Sequence, residues 1–272
     1  MPSVQALTVV GALFLLLVKA SGIPGAEAQQ AATTKFSVTF EQEDTCLPDI
    51  NAARVNAGFK EFTVAQNSDS GEIWPAAGDK SSVEDYKTWV WKPVCDFLLG
   101  ETTEAGHSRG VSQEAFVSGT YAFKVVDGGE PNCTDVVNGW KDAYTNFNGI
   151  PPAKEGNEDV YKVHENVSFV AMYNPSANAA ASCRVVTCTK TVSVAGAGGK
   201  AGREGSEAEN TKTGSALLCL TTPDILFTKT DSAPFTEDQW AQIVTAFEGS
   251  ASAALPTLLG LVAAVLGVVA TV

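Results

Sequence analysis

Val167-Ser168-Phe169-Val170-Ala171-Met172-Tyr173 is a near-continuous apolar run, closed by Asn174-Pro175-Ser176-Ala177-Asn178. An apolar stretch of this length, bounded by a turn, predicts a strand buried on both faces at the centre of a sheet. The Asn-Pro turn would then fold the chain back into a second strand over residues 183–189.

Upstream, residues 134–147 return to helical spacing: Val136, Val137, Trp140, Tyr144 and Phe147 form one stripe that Gly149 and Pro151 end. Residues 119–126 read as a strand before the turn Asp127-Gly128-Gly129. Residues 83–91 read as a less regular helix that resumes after Pro93 toward Leu99, with Tyr86, Trp89, Val90 and Trp91 filling a core. Residues 47–59 read as a helix with Leu47, Ile50, Ala53 and Ala57 on one face, Pro48 in its first turn and Gly58 as its stop. Downstream, residues 216–221 make a last strand. Thr236-Glu237-Asp238-Gln239 then forms a capping box for an amphipathic helix bearing Trp240, Ile243, Val244 and Phe247. Residues 194–213, rich in Gly, Ala, Ser and charge, and the turn 101–110 are expected to be exposed loops. Gly196-Ala197-Gly198-Gly199-Lys200 lacks the spacing of a phosphate loop. This is an α+β pattern, with helices early and strands late.

Both ends of the chain are apolar. Residues 6–18 are too short to span a bilayer and lead into small residues, as in a secretory signal peptide. Ala26-Glu27-Ala28 is the preferred cleavage site, with Ala20 the runner-up, so residues 1–28 are expected to be removed. Residues 255–272 carry no charge and no basic residue follows them. Small residues precede them, which fits a glycolipid (GPI) attachment signal over residues 251–272 better than a membrane span. Ser250 is the preferred attachment residue, with Gly249 close behind. Residues 29–250 then form one domain of ordinary size.

Eighteen Lys and Arg against 31 Asp and Glu give a net charge of −13, and no basic run occurs, which argues against a nucleic-acid partner. The acidic surface is expected to engage basic patches on other molecules rather than sulfated glycans. Six cysteines in a secreted chain imply up to three disulfides: Cys46, Cys95, Cys133, Cys183, Cys188 and Cys219. Cys183 and Cys188, on one strand, lie roughly 16 Å apart on opposite faces and need different partners. Cys188 with Cys219 is the favoured pair, because the intervening glycine-rich segment would set two strands side by side. No paired Cys-x-x-Cys supports a zinc site. No Gly-x-Ser-x-Gly elbow occurs, and His107 and His164 lie in polar segments that suit exposed or structural roles, so no catalytic residue is assigned.

The run from Cys46 to Phe59, Gly119-Thr120-Tyr121-Ala122-Phe123, the stretch from Trp140 to Pro152, and Tyr173-Asn174-Pro175 followed by Cys183-Arg184-Val185-Val186-Thr187-Cys188-Thr189 resemble the GPI-anchored surface antigens (SAG) of Eimeria, an apicomplexan gut parasite. The resemblance implies a three-layer αβα sandwich with a mainly antiparallel sheet, related to the CAP superfamily of cysteine-rich secretory proteins, antigen 5 and plant pathogenesis-related proteins. It also implies display on invasive stages, in attachment to host-cell surface molecules or modulation of host immunity through antibodies, without catalysis. Many CAP proteins hold a divalent metal through two histidines and two glutamates. Here Asn166-Val167-Ser168-Phe169 stands where one of those histidines would be, so neither a metal nor a cofactor is expected. Some CAP proteins carry a small lipid or sterol; a crevice lined by Trp89, Trp91, Tyr121, Phe123 and Trp140 would serve that alternative. The sequons at Asn132 and Asn166 are expected to carry little glycan, the first beside a disulfide and the second opening a buried strand.

Overall fold

The computed structural model describes residues 32–66, 73–101, 119–128, 130–194 and 208–252, with side chains throughout except at 42, 208, 209 and 248–252. The expected leader, His107, residues 102–110 and the tail from 253 lie outside the described residues. The order of elements is β1 (Ala32–Glu43), α1 (Leu47–Asn56), β2 (Thr63–Val64), β3 (Gly78–Lys80), α2 (Val83–Lys87), α3 (Lys92–Leu98), β4 (Thr120–Val126), α4 (Cys133–Asp142), α5 (His164–Met172), β5 (Ala180–Val194), β6 (Ala208–Thr222) and α6 (Glu237–Ser252). Helices and strands are therefore interspersed, and the described residues open on a strand rather than on helices.

The stretch expected to be a central strand is helix α5. Every residue from Asn166 to Met172 is buried. An apolar run satisfies a doubly buried strand and an all-round buried helix equally well; the neighbourhood decides between them. In the sheet order β3-β1-β5-β6-β4, β4 is an edge. Its outward groups at Phe123 are taken by helices: the amide donates to Ser168 Oγ at 2.8 Å, and the carbonyl accepts from Trp140 Nε1 at 3.0 Å. Two helices thus seal the edge where a further strand would have paired.

The neighbour that β5 needs is instead β1, which pairs antiparallel with it through Phe36↔Lys190, Val38↔Cys188 and Phe40↔Val186. All pairings are antiparallel except that of the short β2 with the start of β5. The loop expected over 194–213 is shorter than its composition suggested. Residues 208–213 belong to β6 and pair with 189–194, because Thr189, Thr191, Thr211 and Thr213 are β-branched and alternate along the strands. Residues 195–207 lie outside the described residues.

Alternation gives the sheet two apolar faces. Ala122, Val185, Leu217 and the Cys183–Cys219 pair meet Ile50 of α1, Trp140 of α4, Phe169 of α5 and Ile243 of α6. On the other face Phe36, Val38, Phe123, Val186 and Leu218 meet Trp74, Tyr86 of α2, Trp91 and Val94 of α3. The sheet is therefore covered by helices on both sides.

Three disulfides tie these layers: Cys46–Cys133, Cys95–Cys188 and Cys183–Cys219. Cys183 and Cys188 do have different partners, but the favoured Cys188–Cys219 bond does not form. The hairpin register sets Cys183 opposite Cys219 and Cys188 opposite Gly214, so Cys188 and Cys219 lie on opposite faces of the sheet. Cys188 points at α3 and bonds Cys95 there. Closing loops of 87 and 93 residues, Cys46–Cys133 and Cys95–Cys188 each remove roughly 4–5 kcal/mol of unfolded-state entropy in the chain-entropy account.

The Cys95–Cys188 bond draws the end of α3 onto β6, which explains Gly214. A Cβ on Gly214 would lie 2.4 Å from the Leu98 carbonyl oxygen, a backbone atom that cannot swing away. Gly214→Ala is expected to cost about 1–3 kcal/mol, seen as a lower urea midpoint with an unchanged slope. An unchanged midpoint would mean that α3 does not approach β6 there.

Candidate functional site

Helix α6 carries the chain out of the core. Its capping box forms as the sequence predicts: the Thr236 amide donates to Gln239 Oε1 at 2.9 Å, and the Gln239 amide to Thr236 Oγ1 at 3.3 Å. One face of α6 is committed to the interior. Trp240 stacks on Tyr144 at 5.3 Å, Phe247 meets the Tyr144 and Tyr173 rings at 5.0 and 6.3 Å, and Ile243 is fully buried. Its neighbouring face, with the end of α1, borders an open groove of about 810 Å³. Asn56 and Gly58 form one wall, and Asp238, Gln242 and Thr245 of α6 the other.

The residues singled out in the sequence are distributed as follows. Ser250 lies within α6, near its end. Asn132 is exposed and serves as the N-cap of α4, its Oδ1 accepting from the Thr134 and Asp135 amides. Asn166 is buried at the start of α5 rather than at the start of a strand. Its Nδ2 donates to the Val160 carbonyl at 2.8 Å and its Oδ1 accepts from Asn146 at 2.7 Å, so the folded chain has no room for a sugar on it. The five aromatic residues do not line one crevice. Trp140 lies on one face of the sheet, Trp91, Tyr121 and Phe123 lie on the other, all four are buried, and Trp89 packs at the margin.

Two features escaped the sequence reading. The Arg54 side chain is buried beneath the C-terminal end of α5, where Nη1 donates to the Met172 carbonyl at 2.7 Å and Nε to the Lys60 carbonyl at 2.9 Å. The guanidinium also lies 3.6 Å from the Phe62 ring centroid. Burial lowers its pKa to about 10, which leaves it charged at neutral pH. A basic residue in the last turn of a helix that is otherwise amphipathic is ordinary, and nothing local marks this one as buried.

His164 opens α5 between the rings of Phe97 and Phe123, at 5.7 and 5.2 Å. Nε2 pairs with Glu165 Oε1 at 2.9 Å, while Nδ1 is buried with no hydrogen-bond partner among the described residues. The expectation of a structural role fits; the polar flanking residues gave no sign of the aromatic clamp. No group of three or more His, Cys, Asp or Glu able to hold a metal occurs among the described residues.

Residues 42–262 match the sporozoite surface antigen (SAG) protein domain. The chain belongs to that surface antigen family. It is 31% identical over 234 residues to the sporulated oocyst TA4 antigen of Eimeria tenella, an alignment covering 85% of this chain and 84% of the relative. No solved structure matches. Membership points to a cell-surface, non-enzymatic protein, and among the described residues no helix is long and apolar enough to cross a membrane.

The setting of His164 predicts a fold that loses stability in acid. Burial, the largest effect, lowers its pKa below the ordinary 6.5; Glu165 opposes that and Lys124 reinforces it. A positive charge at a helix N-terminus is unfavourable as well. The unfolded chain therefore binds the proton more readily than the folded one, and stability falls as pH drops below about 6.5. The unfolding free energy from urea denaturation should decrease between pH 7 and pH 5, by at most about 1.4 kcal/mol per pH unit from this residue. His164→Gln should lower stability at pH 7 yet flatten that decrease. Equal slopes for the two proteins would remove His164 from the account.

Proposed function

We propose that the chain is a GPI-anchored parasite surface antigen, displayed on the outer leaflet after removal of residues 1–28 and 251–272. Its exposed surface meets host-cell molecules or antibodies, without catalysis. The observation that carries this reading is the path of the C-terminus. α6 is fixed in the core by Trp240, Ile243 and Phe247, reaches Ser250 while still helical, and is followed in the sequence by the uncharged stretch 255–272. A lipid attached at Ser250 would hold the domain close to the bilayer. Helices on both faces of a mostly antiparallel sheet support kinship with the CAP superfamily. Asn166, hydrogen-bonded and buried where many CAP proteins place a metal-binding histidine, supports a member without that metal.

The alternative, a carrier of a small lipid or sterol, requires the aromatic residues to surround one cavity. Their division between the two faces of the sheet favours display.

Phosphatidylinositol-specific phospholipase C, applied to cells expressing the full-length chain, should release the domain into the medium, as read with antibody to the ectodomain. Retention on cells whose other glycolipid-anchored proteins are released would mean that the C-terminal stretch remains as a membrane span.

A further inference from the structure

The groove between α1 and α6 has no part in the reading above, although its lining includes the core residue Ala57. Its wall on α6 is made by Asp238, Ala241, Gln242, Thr245 and Ala246. These positions are spaced i, i+3, i+4, i+7 and i+8, so they share one helical face. α6 continues as a helix to Ser252. The groove lining on α6 ends at Ala246, one helical turn before Gly249 and Ser250, the two expected attachment residues. From 238 to 249 the axial rise is ~16 Å.

The lining has the chemistry of a sugar site. Asn56, Gln242 and Thr245 offer amide and hydroxyl groups, Asp238 offers a carboxylate, and Ala241, Ala246 and Gly58 leave the space between them open. Gly58 is held at φ 79°, and a Cβ there would come within 3.3 Å of Gln242 Oε1. The Thr245 hydroxyl already donates to the Ala241 carbonyl at 2.8 Å, but an acyl chain would still desolvate Asp238, Gln242 and Asn56, which sugar hydroxyls can satisfy. The glucosamine of a GPI core carries a free amine, and Asp238 is a suitable counter-ion for it.

We propose that this groove seats the glycan core of the chain's own anchor, which folds back along α6 from the attachment residue. The proposal rests on the anchor reading. It implies that the domain is held on its stalk in one orientation instead of swivelling, with the α1–α6 side facing the bilayer.

The test compares the domain released from cells by phospholipase, which retains the glycan, with the same domain secreted after a stop codon behind Ser250. Hydrogen exchange is followed at the amides of Ala57 and Gly58, which close the fraying end of α1. Exchange should be at least threefold slower in the glycan-bearing form. The difference should vanish in Ala241→Trp, a substitution at an exposed position that fills the groove; Thr245→Trp serves the same purpose if the first variant is poorly made. Equal exchange in the released and truncated domains would overturn the proposal and leave the anchor intact. A difference that persists in both filled variants would place the glycan elsewhere. Failure of release would remove the anchor, and this proposal with it.

Discussion

A helix buried on every side cannot give its last carbonyls to water, and α5 is such a helix. The first and last turns of any helix leave backbone groups without intrahelical partners. At the C-terminal end of α5 that requirement is met by Arg54, reaching from α1 to the Met172 carbonyl. The arrangement is favourable twice over: a cation sits at the negative end of the helix dipole, and its second hydrogen bond holds the Lys60 carbonyl just beyond α1. Among the described residues its partners are carbonyl oxygens and aromatic faces, not a carboxylate. One buried charge thus joins α1, α5 and the segment leading to β2.

The rest of the architecture is arranged around α5. Its Ser168 seals the edge of β4, Phe169 fills the space between the sheet and α6, and Tyr173 meets Phe59 and Phe247 at its far end. α6 packs on this helix and on Tyr144, so whatever holds the C-terminus is mechanically coupled to the centre of the domain. The disulfides work at the periphery of that centre. Cys46–Cys133 clamps α1 to α4 on one side of the sheet, and Cys95–Cys188 fixes α3 on the other. A displayed protein fortified in this way keeps its exposed surface in one shape outside the cell.

The elements legible in the sequence are those whose local chemistry is self-contained. α1 shows its face through Leu47, Ile50, Ala53 and Ala57, and α6 its capping box; the stripe read over 134–147 holds through Val136, Val137 and Trp140 of α4, which ends at Asp142 and passes into a 3-10 turn over Ala143–Asn146. The errors share a different cause, since each depended on what lay beside the segment. Phe169, Val170 and Ala171 are apolar in a way that suits strand or helix, and the long-range contact with β4 selects the helix. Phe36, Val38 and Phe40 alternate in β1, but three alternating residues mark a strand only once β5 lies beside them. The Cys188–Cys219 preference failed by the parity of one hairpin register. The division of the cysteines between two strand faces was legible, and His164 was legible as a structural histidine but without its aromatic clamp. The burial of Arg54 was not, since burial of a charge is decided by residues far away in the chain.

The packing of the sheet edge and the path of α6 both depend on α5 being the buried centre of the domain. Native-state hydrogen exchange at the amides of Val170 to Tyr173 tests that most directly. If α5 is fully buried and closed by Arg54, these amides exchange only through global unfolding, with a free energy equal to that from urea denaturation. In Arg54→Met the same amides should open locally, at least tenfold faster than global unfolding allows. Rapid exchange in the unaltered protein, or exchange in Arg54→Met that still tracks global stability, would contradict the account.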